Sequence, residues 1–139
     1  MATFTTVEDV TAWQKARELT RQVYTASGRG LFGRDFGLRD QIRRAAVSIM
    51  ANVAEGFERD GTGEFVQFLS VAKGSVGELR AHLYVALDQL YVTKQEFERM
   101  RVLADETARL ISGLMAYLRR SQVKGLKYKA VHAEVAAAR

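Results

Sequence analysis

The chain has 139 residues, of which 47% are hydrophobic and 27% are charged, values typical of a single soluble globular domain. It contains no cysteine, which excludes disulfides, thiolate nucleophiles and cysteine-ligated metal sites. It also contains no proline, which favours long helices. Because its longest apolar run is only five residues, the sequence predicts no membrane span or secretory signal, and the expected location is the cytoplasm.

The excess of positive over negative charge falls entirely at the C-terminal end of the chain. Residues 1–118 contain 15 basic and 15 acidic side chains, whereas residues 119–139 contain six basic side chains and one acidic one, which accounts for the net charge of +5. Such a basic tail suits an anionic partner, either nucleic acid or an acidic protein surface. The alternative is a solvated terminus that only aids solubility.

Four segments place apolar residues at intervals of three and four, the pattern of an amphipathic helix. No segment shows the two-residue alternation of a strand. The predicted fold is therefore all-α, an antiparallel up-and-down four-helix bundle in residues 1–120, followed by a basic and partly flexible tail in residues 121–139. The predicted helices span residues 8–27, 36–56, 63–90 and 94–120.

Capping residues support these boundaries. Asp35 is a good N-cap for the second helix, and Thr93 with Glu96 forms a capping box for the fourth. Thr6 with Asp9 approximates the same arrangement before the first helix. Gly56 is predicted to end the second helix, because glycine adopts the left-handed conformation common there.

The third helix is more apolar than a bundle helix requires. Between residues 65 and 92, 17 of 28 positions are hydrophobic, and Tyr84 and Tyr91 lie outside the main apolar face. Gly74 and Gly77 would each destabilise the helix by about 0.8–1 kcal/mol unless another helix packs there. These features predict a homo-oligomer with Tyr84 and Tyr91 in its interface.

Two patterns resemble chemical sites without meeting their requirements. The string Gly28-x-Gly30-x-x-Gly33 matches a dinucleotide fingerprint, but it follows a helix instead of a strand, so a connecting loop is the better interpretation. His82 and His132 are 50 residues apart, and neither is followed by a carboxylate or histidine at helical spacing. The sequence thus predicts no metal, no cofactor and no catalytic residue.

Four polar residues lie along the second helix at intervals of four, four and three residues, and are called the polar row. One interpretation is a ligand site in which Glu55 is an acid–base group and Arg44 holds an anion. The favoured interpretation is a buried, hydrogen-bonded structural seam, because the set contains no nucleophile beside a base. The row consists of Arg44, Ser48, Asn52 and Glu55.

Basic residues one turn apart form two short ridges. Arg17 and Arg21 lie on the first helix, and Arg39 and Arg43 lie on the second. If the helices are neighbours, the ridges could bind phosphate by charge alone; otherwise they are solvated helix faces. The predicted nucleic-acid-binding set adds the residues at the end of the chain, namely Arg119, Arg120, Lys124, Lys127 and Lys129.

Several short segments of the predicted helices together carry a resemblance to a known family. They are Trp13–Ala16, Gly37–Ile49, Asn52–Gly56 and Lys73–Ser75, with Glu64-Phe65 and Glu78-Leu79. Through these segments, residues 7–120 resemble the bacterial four-helix-bundle proteins encoded in intervening sequences of large-subunit ribosomal RNA genes. That family is similar to the accessory variability determinant of diversity-generating retroelements, a partner of reverse transcriptase. The resemblance implies a homopentameric barrel with no established enzymatic activity.

The expected function is that of a non-enzymatic oligomeric adaptor. Its basic surfaces would bind RNA, DNA or a nucleic-acid enzyme such as a reverse transcriptase. The alternative is a protein-binding or structural assembly module with no nucleic-acid role. An enzyme built on the polar row is the least favoured possibility.

Overall fold

The computed structural model describes residues 6–124, with side chains described for residues 6–121, and this part of the chain contains helices and no strand. A 3₁₀ turn at Val7–Asp9 precedes five α-helices. The prediction of an all-α fold is confirmed. The helices are α1 (Thr11–Ser27), α2 (Gly30–Arg34), α3 (Phe36–Glu58), α4 (Thr62–Asp88) and α5 (Lys94–Lys124).

The four long helices pack as a bundle. Helix α1 lies against α3 and α5, and α4 lies against the same two helices from the other side. Short links join consecutive long helices, so that neighbours in sequence run antiparallel. Lys15 of α1 bonds Glu106 of α5 at 2.9 Å, and the Thr20 hydroxyl of α1 lies 3.3 Å from the carbonyl oxygen of Ala46 of α3.

The core forms where the apolar faces of the helices meet, as the three- and four-residue periodicity requires. Small side chains such as Ala16 and Ala46 allow the helices to approach, and large apolar side chains from all four long helices complete the packing. None of the helices between residues 6 and 124 is long and apolar enough to span a membrane. The largest fully buried side chains are Phe32, Leu19, Ile42, Ile49, Leu69, Leu79, Leu83 and Ile111.

The structure differs from the sequence prediction at the glycine-rich link. Residues Gly30–Arg34 form the short helix α2 instead of an irregular loop. Gly30 adopts a φ of +50°, which is accessible to glycine at little cost and lets the chain turn after α1. The turn buries Phe32, which stacks on Tyr91 with ring centroids 5.3 Å apart.

The prediction that Gly56 ends the second helix is wrong. Helix α3 continues to Glu58, and within residues 6–124 the glycine with positive φ is Gly30. A Cβ at position 56 would lie 2.8 Å from Phe68 Cβ and 2.9 Å from Phe65 Cδ1. Gly56 is therefore required for close packing of α3 on α4, because any side chain would collide with α4.

Helix α4 ends two residues before its predicted end and closes with a Schellman motif. The amide of Leu90 bonds the Leu87 carbonyl at 3.0 Å, and the amide of Tyr91 bonds the Ala86 carbonyl at 2.9 Å. Leu90 occupies the position usually held by glycine, with a φ of +60°. The motif turns the chain so that Tyr91 packs back onto the bundle.

The next helix begins with the predicted capping box. The Thr93 amide donates to Glu96 at 2.8 Å, and the Glu96 amide donates to the Thr93 hydroxyl at 3.0 Å. Helix α5 then runs to Lys124, four residues beyond its predicted end, and Ser121 is buried. The last turn of the helix thus includes residues that the sequence analysis assigned to the tail.

Candidate nucleic-acid interface

Arg39 and Arg43 lie one turn apart on α3, on the face that meets the C-terminal ends of α1 and α2. The Arg43 guanidinium donates to the buried Ser27 hydroxyl at 2.8 Å and to the Tyr24 carbonyl at 3.3 Å. Its centre also lies 4.4 Å from the ring centroid of Tyr24. Arg43 therefore connects the C-terminal turn of α1 to α3.

Arg39 has a similar role one turn earlier. It donates to the Gly33 carbonyl of α2 at 3.2 Å and to the Asp40 carboxylate at 3.0 Å, and it stacks on Phe36 at 4.7 Å. Its side chain is 28% exposed. The second predicted ridge is thus bonded within the chain, and its arginines have fewer donors available for an external phosphate than the sequence implied.

Arg17 and Arg21 on α1 are exposed, as their ridge requires. Arg17 lies 5.9 Å from the ring centroid of Trp13, and no carboxylate among the described side chains pairs with it. Arg21 pairs with Glu18 at 3.3 Å, a solvent-exposed contact of the kind that stabilises a helix only slightly. This ridge therefore retains guanidinium groups that face solvent.

Arg119 and Arg120 lie near the end of α5 and are exposed, with no ion pair to another described side chain. Lys124 is the last residue of α5, and Lys127 and Lys129 lie outside the described residues. Since Lys15 is level with Glu106, Arg119 is about 20 Å further along the bundle axis, opposite in direction to Arg17. The predicted basic residues therefore do not form one continuous patch.

The polar row on α3 divides into a bonded centre and two exposed ends. Ser48 Oγ lies 2.9 Å from Ser75 Oγ of α4, and Asn52 Nδ2 donates to the Ser48 carbonyl at 2.8 Å and to its hydroxyl at 3.1 Å. Arg44 and Glu55 are exposed; Arg44 bonds Gln41 of the same helix, and Glu55 bonds Arg59, the residue that follows α3. Among the described contacts of the row, the Ser48–Ser75 hydrogen bond joins α3 to α4, and Asn52 supports it from within α3.

The central and outer residues of the polar row should contribute differently to the free energy of unfolding. Asn52→Ala should lower the free energy of unfolding by about 1 kcal/mol, because it removes two hydrogen bonds from a half-buried site. Glu55→Ala should change it by less than about 0.5 kcal/mol, because Glu55 is exposed. Urea denaturation of the two variants checks this, and equal losses would show that the row acts as one unit.

The two tyrosines of the predicted interface have different surroundings. Tyr84 is 52% exposed on α4 and meets Phe97 edge-on, with centroids 5.0 Å apart. Tyr91 is half-buried, stacks on Phe32 and donates its hydroxyl to Asp35 Oδ2 at 2.9 Å. This hydrogen bond raises the pKa of Tyr91, since it stabilises the protonated phenol. Tyr91 thus joins the two links at one end of the bundle.

The titratable side chains of residues 6–121 are dispersed over the bundle surface. Among them, no three histidine, aspartate or glutamate residues come together as a metal site. His82 contacts Glu78 at 3.3 Å, one turn before it, a partner that the sequence analysis missed because it considered only later residues. The pair is at the helix surface and has the geometry of an ordinary contact between residues four apart.

Comparison with known proteins agrees with this architecture. The family model described as "23S rRNA-intervening sequence protein" matches residues 8–113. A solved structure from Bacteroides thetaiotaomicron, a protein of unknown function from the S23 ribosomal protein family, is similar with a TM-score of 0.69 and 20% identity. The match covers 75% of this chain and 97% of that one. No curated protein matches the chain.

Proposed function

Because the chain belongs to the 23S rRNA-intervening sequence protein family, we propose that it is a non-enzymatic, oligomeric adaptor that binds RNA or DNA through exposed basic side chains. The observation that carries this proposal is the segregation of charge. Residues 1–118 are neutral overall, and all of the +5 net charge follows Leu118. Arg119 and Arg120 mark the start of this region on an exposed helical turn.

The distribution of ion pairs supports the same surfaces. Many carboxylates on the bundle are bound to arginine or lysine of the chain, as in the Arg80–Asp105–Arg101 group between α4 and α5. Arg17, Arg119 and Arg120 have no such partner among the described side chains. Unpaired cations can neutralise phosphates and release counterions, which gives affinity without base recognition.

Self-association is the second part of the proposal. The outward side of α4 carries apolar residues and two glycines. Val71, Tyr84 and Val85 are exposed there. A Cβ at Gly74 or Gly77 would meet no atom within 4 Å. Nothing in the described chain packs there to offset the cost of two glycines inside a helix. A second copy of the chain packed on this face would offset that cost. The assembly we propose is a homopentamer.

The nucleic-acid role is tested by removing charge in two places. We expect Arg119→Gln/Arg120→Gln and deletion of residues 125–139 each to weaken binding of a labelled single-stranded RNA. Each should also make the plot of log affinity against log salt less steep, by about 0.7 for every phosphate that the variant no longer neutralises. The deletion starts after Lys124, because Ser121 is buried. Fluorescence anisotropy at several salt concentrations provides the measurement.

The matched control is Arg44→Gln, which removes one exposed charge from α3 outside the proposed surfaces. It should alter affinity and slope little. If the charge-removal variants bind as the intact chain does, the binding surface must lie elsewhere, and Arg17→Gln/Arg21→Gln then tests the α1 ridge.

Self-association is tested with paired tyrosine variants. Tyr84→Glu should reduce the mass measured by light scattering from about five chains to one, because a charge on the apolar α4 face cannot be buried cheaply. Tyr24→Glu is the control, since Tyr24 has similar exposure on α1, a helix diagonal to α4. A monomeric intact chain would contradict this part of the proposal.

A second candidate, a protein-binding module, has one observation in its favour. Exposed apolar side chains lie at the end of the bundle that carries α2, where Leu31 is 68%, Phe36 62% and Leu90 87% exposed. Such a surface suits a protein partner. A reverse transcriptase would be one such partner, in line with the resemblance to the retroelement determinant. Absence of RNA and DNA binding at low salt would favour this candidate.

A further inference from the structure

A groove opens between α1 and the first turns of α5, beside the link to α2. Its volume is about 440 Å³, within the range of small-molecule sites. Three arginines are among its lining residues: Arg21 of α1, Arg29 of the link and Arg99 of α5. Arginines from three separate elements thus face one concave space.

The two carboxylates in the groove already have donors. Glu96 accepts from the Thr93 amide and pairs with Arg29, and these contacts hold the pKa of its carboxyl below the usual value. Glu18 accepts from Gln22 at 3.3 Å and pairs with Arg21 at the same distance. Both carboxylates therefore have hydrogen-bonding partners within the chain. Arg21 and Arg29 each retain N–H donors that can bind a ligand.

Arg99 lines the same groove and carries a positive charge without a carboxylate partner among the described side chains. It is exposed, and no hydrogen bond or ion pair joins it to another described side chain. Its guanidinium presents five N–H donors in a planar fork that matches the oxygen spacing of a phosphate. The groove therefore has a net positive lining and an arginine with its full donor capacity.

We infer that this groove binds a phosphomonoester group, carried by a ligand the size of a nucleoside monophosphate. Arg99 would form the main bidentate contact, and the free donors of Arg21 and Arg29 would reach the remaining oxygens. A phosphate fits better than a carboxylate because it offers three terminal oxygens to three guanidinium groups. The inference goes beyond the proposed function, since Arg29 and Arg99 belong to neither of its basic surfaces.

The test is calorimetric titration at low ionic strength with AMP, inorganic phosphate and adenosine. AMP and phosphate should bind the intact chain, and adenosine should not. Arg99→Gln should weaken AMP binding at least about tenfold, because it removes a charged hydrogen-bonded pair. Arg109→Gln is the matched control, since Arg109 is exposed on the same helix but does not line the groove.

The source of the phosphate is resolved by a second titration, with an oligonucleotide carrying a 5′-phosphate or a 5′-hydroxyl. Tighter binding of the phosphorylated form, abolished in Arg99→Gln, would identify a nucleic-acid end as the ligand. Binding of AMP with no preference between the oligonucleotides would identify a free nucleotide. Equal AMP affinity in Arg99→Gln and Arg109→Gln, or no binding of AMP by the intact chain, would overturn the inference.

Discussion

Gly56→Ala should destabilise the chain by up to about 2 kcal/mol, although alanine favours helices more than glycine does. A Cβ at this position would lie 2.8 Å from Phe68 Cβ and 2.9 Å from the Phe65 ring, closer than carbon atoms approach in folded proteins. Overpacking costs about 1–3 kcal/mol, and the gain in helix propensity of about 0.8–1 kcal/mol offsets only part of it. Urea denaturation measures the change.

Gly113→Ala is the matched control for this prediction. Gly113 is exposed on α5, and a Cβ there would meet no atom within 4 Å. The same substitution should therefore stabilise the chain by about 0.8–1 kcal/mol through helix propensity alone. If both variants were stabilised equally, α3 and α4 would be further apart at Gly56 than these distances state.

Arg43→Ala should lower the free energy of unfolding by about 2–3 kcal/mol, an unusually large effect for a surface arginine. The substitution removes the donor to the Ser27 hydroxyl, which is fully buried, and the hydrogen bond to the Tyr24 carbonyl. Buried polar groups without a partner cost about 1–3 kcal/mol, and the stacking on Tyr24 disappears as well. Thermal and urea denaturation both report this destabilisation.

The adjacent Arg44→Ala variant isolates the structural role. Arg44 is exposed, and its hydrogen bond goes to the nearby Gln41 on the same helix, so the substitution should change stability by less than about 0.5 kcal/mol. Arg43→Lys should recover little, because lysine cannot match the fork of donors that arginine supplies. Comparable destabilisation by Arg43→Ala and Arg44→Ala would show that the Ser27 hydrogen bond does not stabilise the fold.

The helices were predictable because their causes are local. Apolar periodicity along each helix, and the capping box at Thr93 and Glu96, depend on residues within a few turns of one another. The extension of α3 beyond Gly56 was not predicted, because glycine in that position usually ends a helix. The actual constraint on Gly56 is the close approach of α4, which no local pattern encodes.

The candidate site was predictable only in part, for the same reason. The spacing of Arg39 and Arg43 correctly placed them on one face of a helix. Their partners, Ser27 and Tyr24 on α1 and Gly33 on α2, come from other elements and become neighbours only when the chain folds. The arginine ridge predicted from the sequence is therefore a connection between helices in the structure.

The groove between α1 and α5 was not predicted because its arginines are far apart in sequence. Arg29 and Arg99 are separated by 70 residues and fall on elements whose packing brings them together. Arg29 belongs to the glycine-rich link, and Arg99 lies on the polar side of α5. Neither position carries a local signal that distinguishes it from an ordinary solvated arginine.

The central claim, that a neutral bundle with a basic end binds nucleic acid by charge, is tested most directly by salt titration of the intact chain. Fluorescence anisotropy of labelled single-stranded RNA and of duplex DNA should show binding at low salt. The logarithm of the affinity should then fall linearly with the logarithm of the salt concentration. We predict a steep fall of affinity with salt and little preference for nucleotide sequence. No binding at low salt, or an affinity independent of salt, would contradict it.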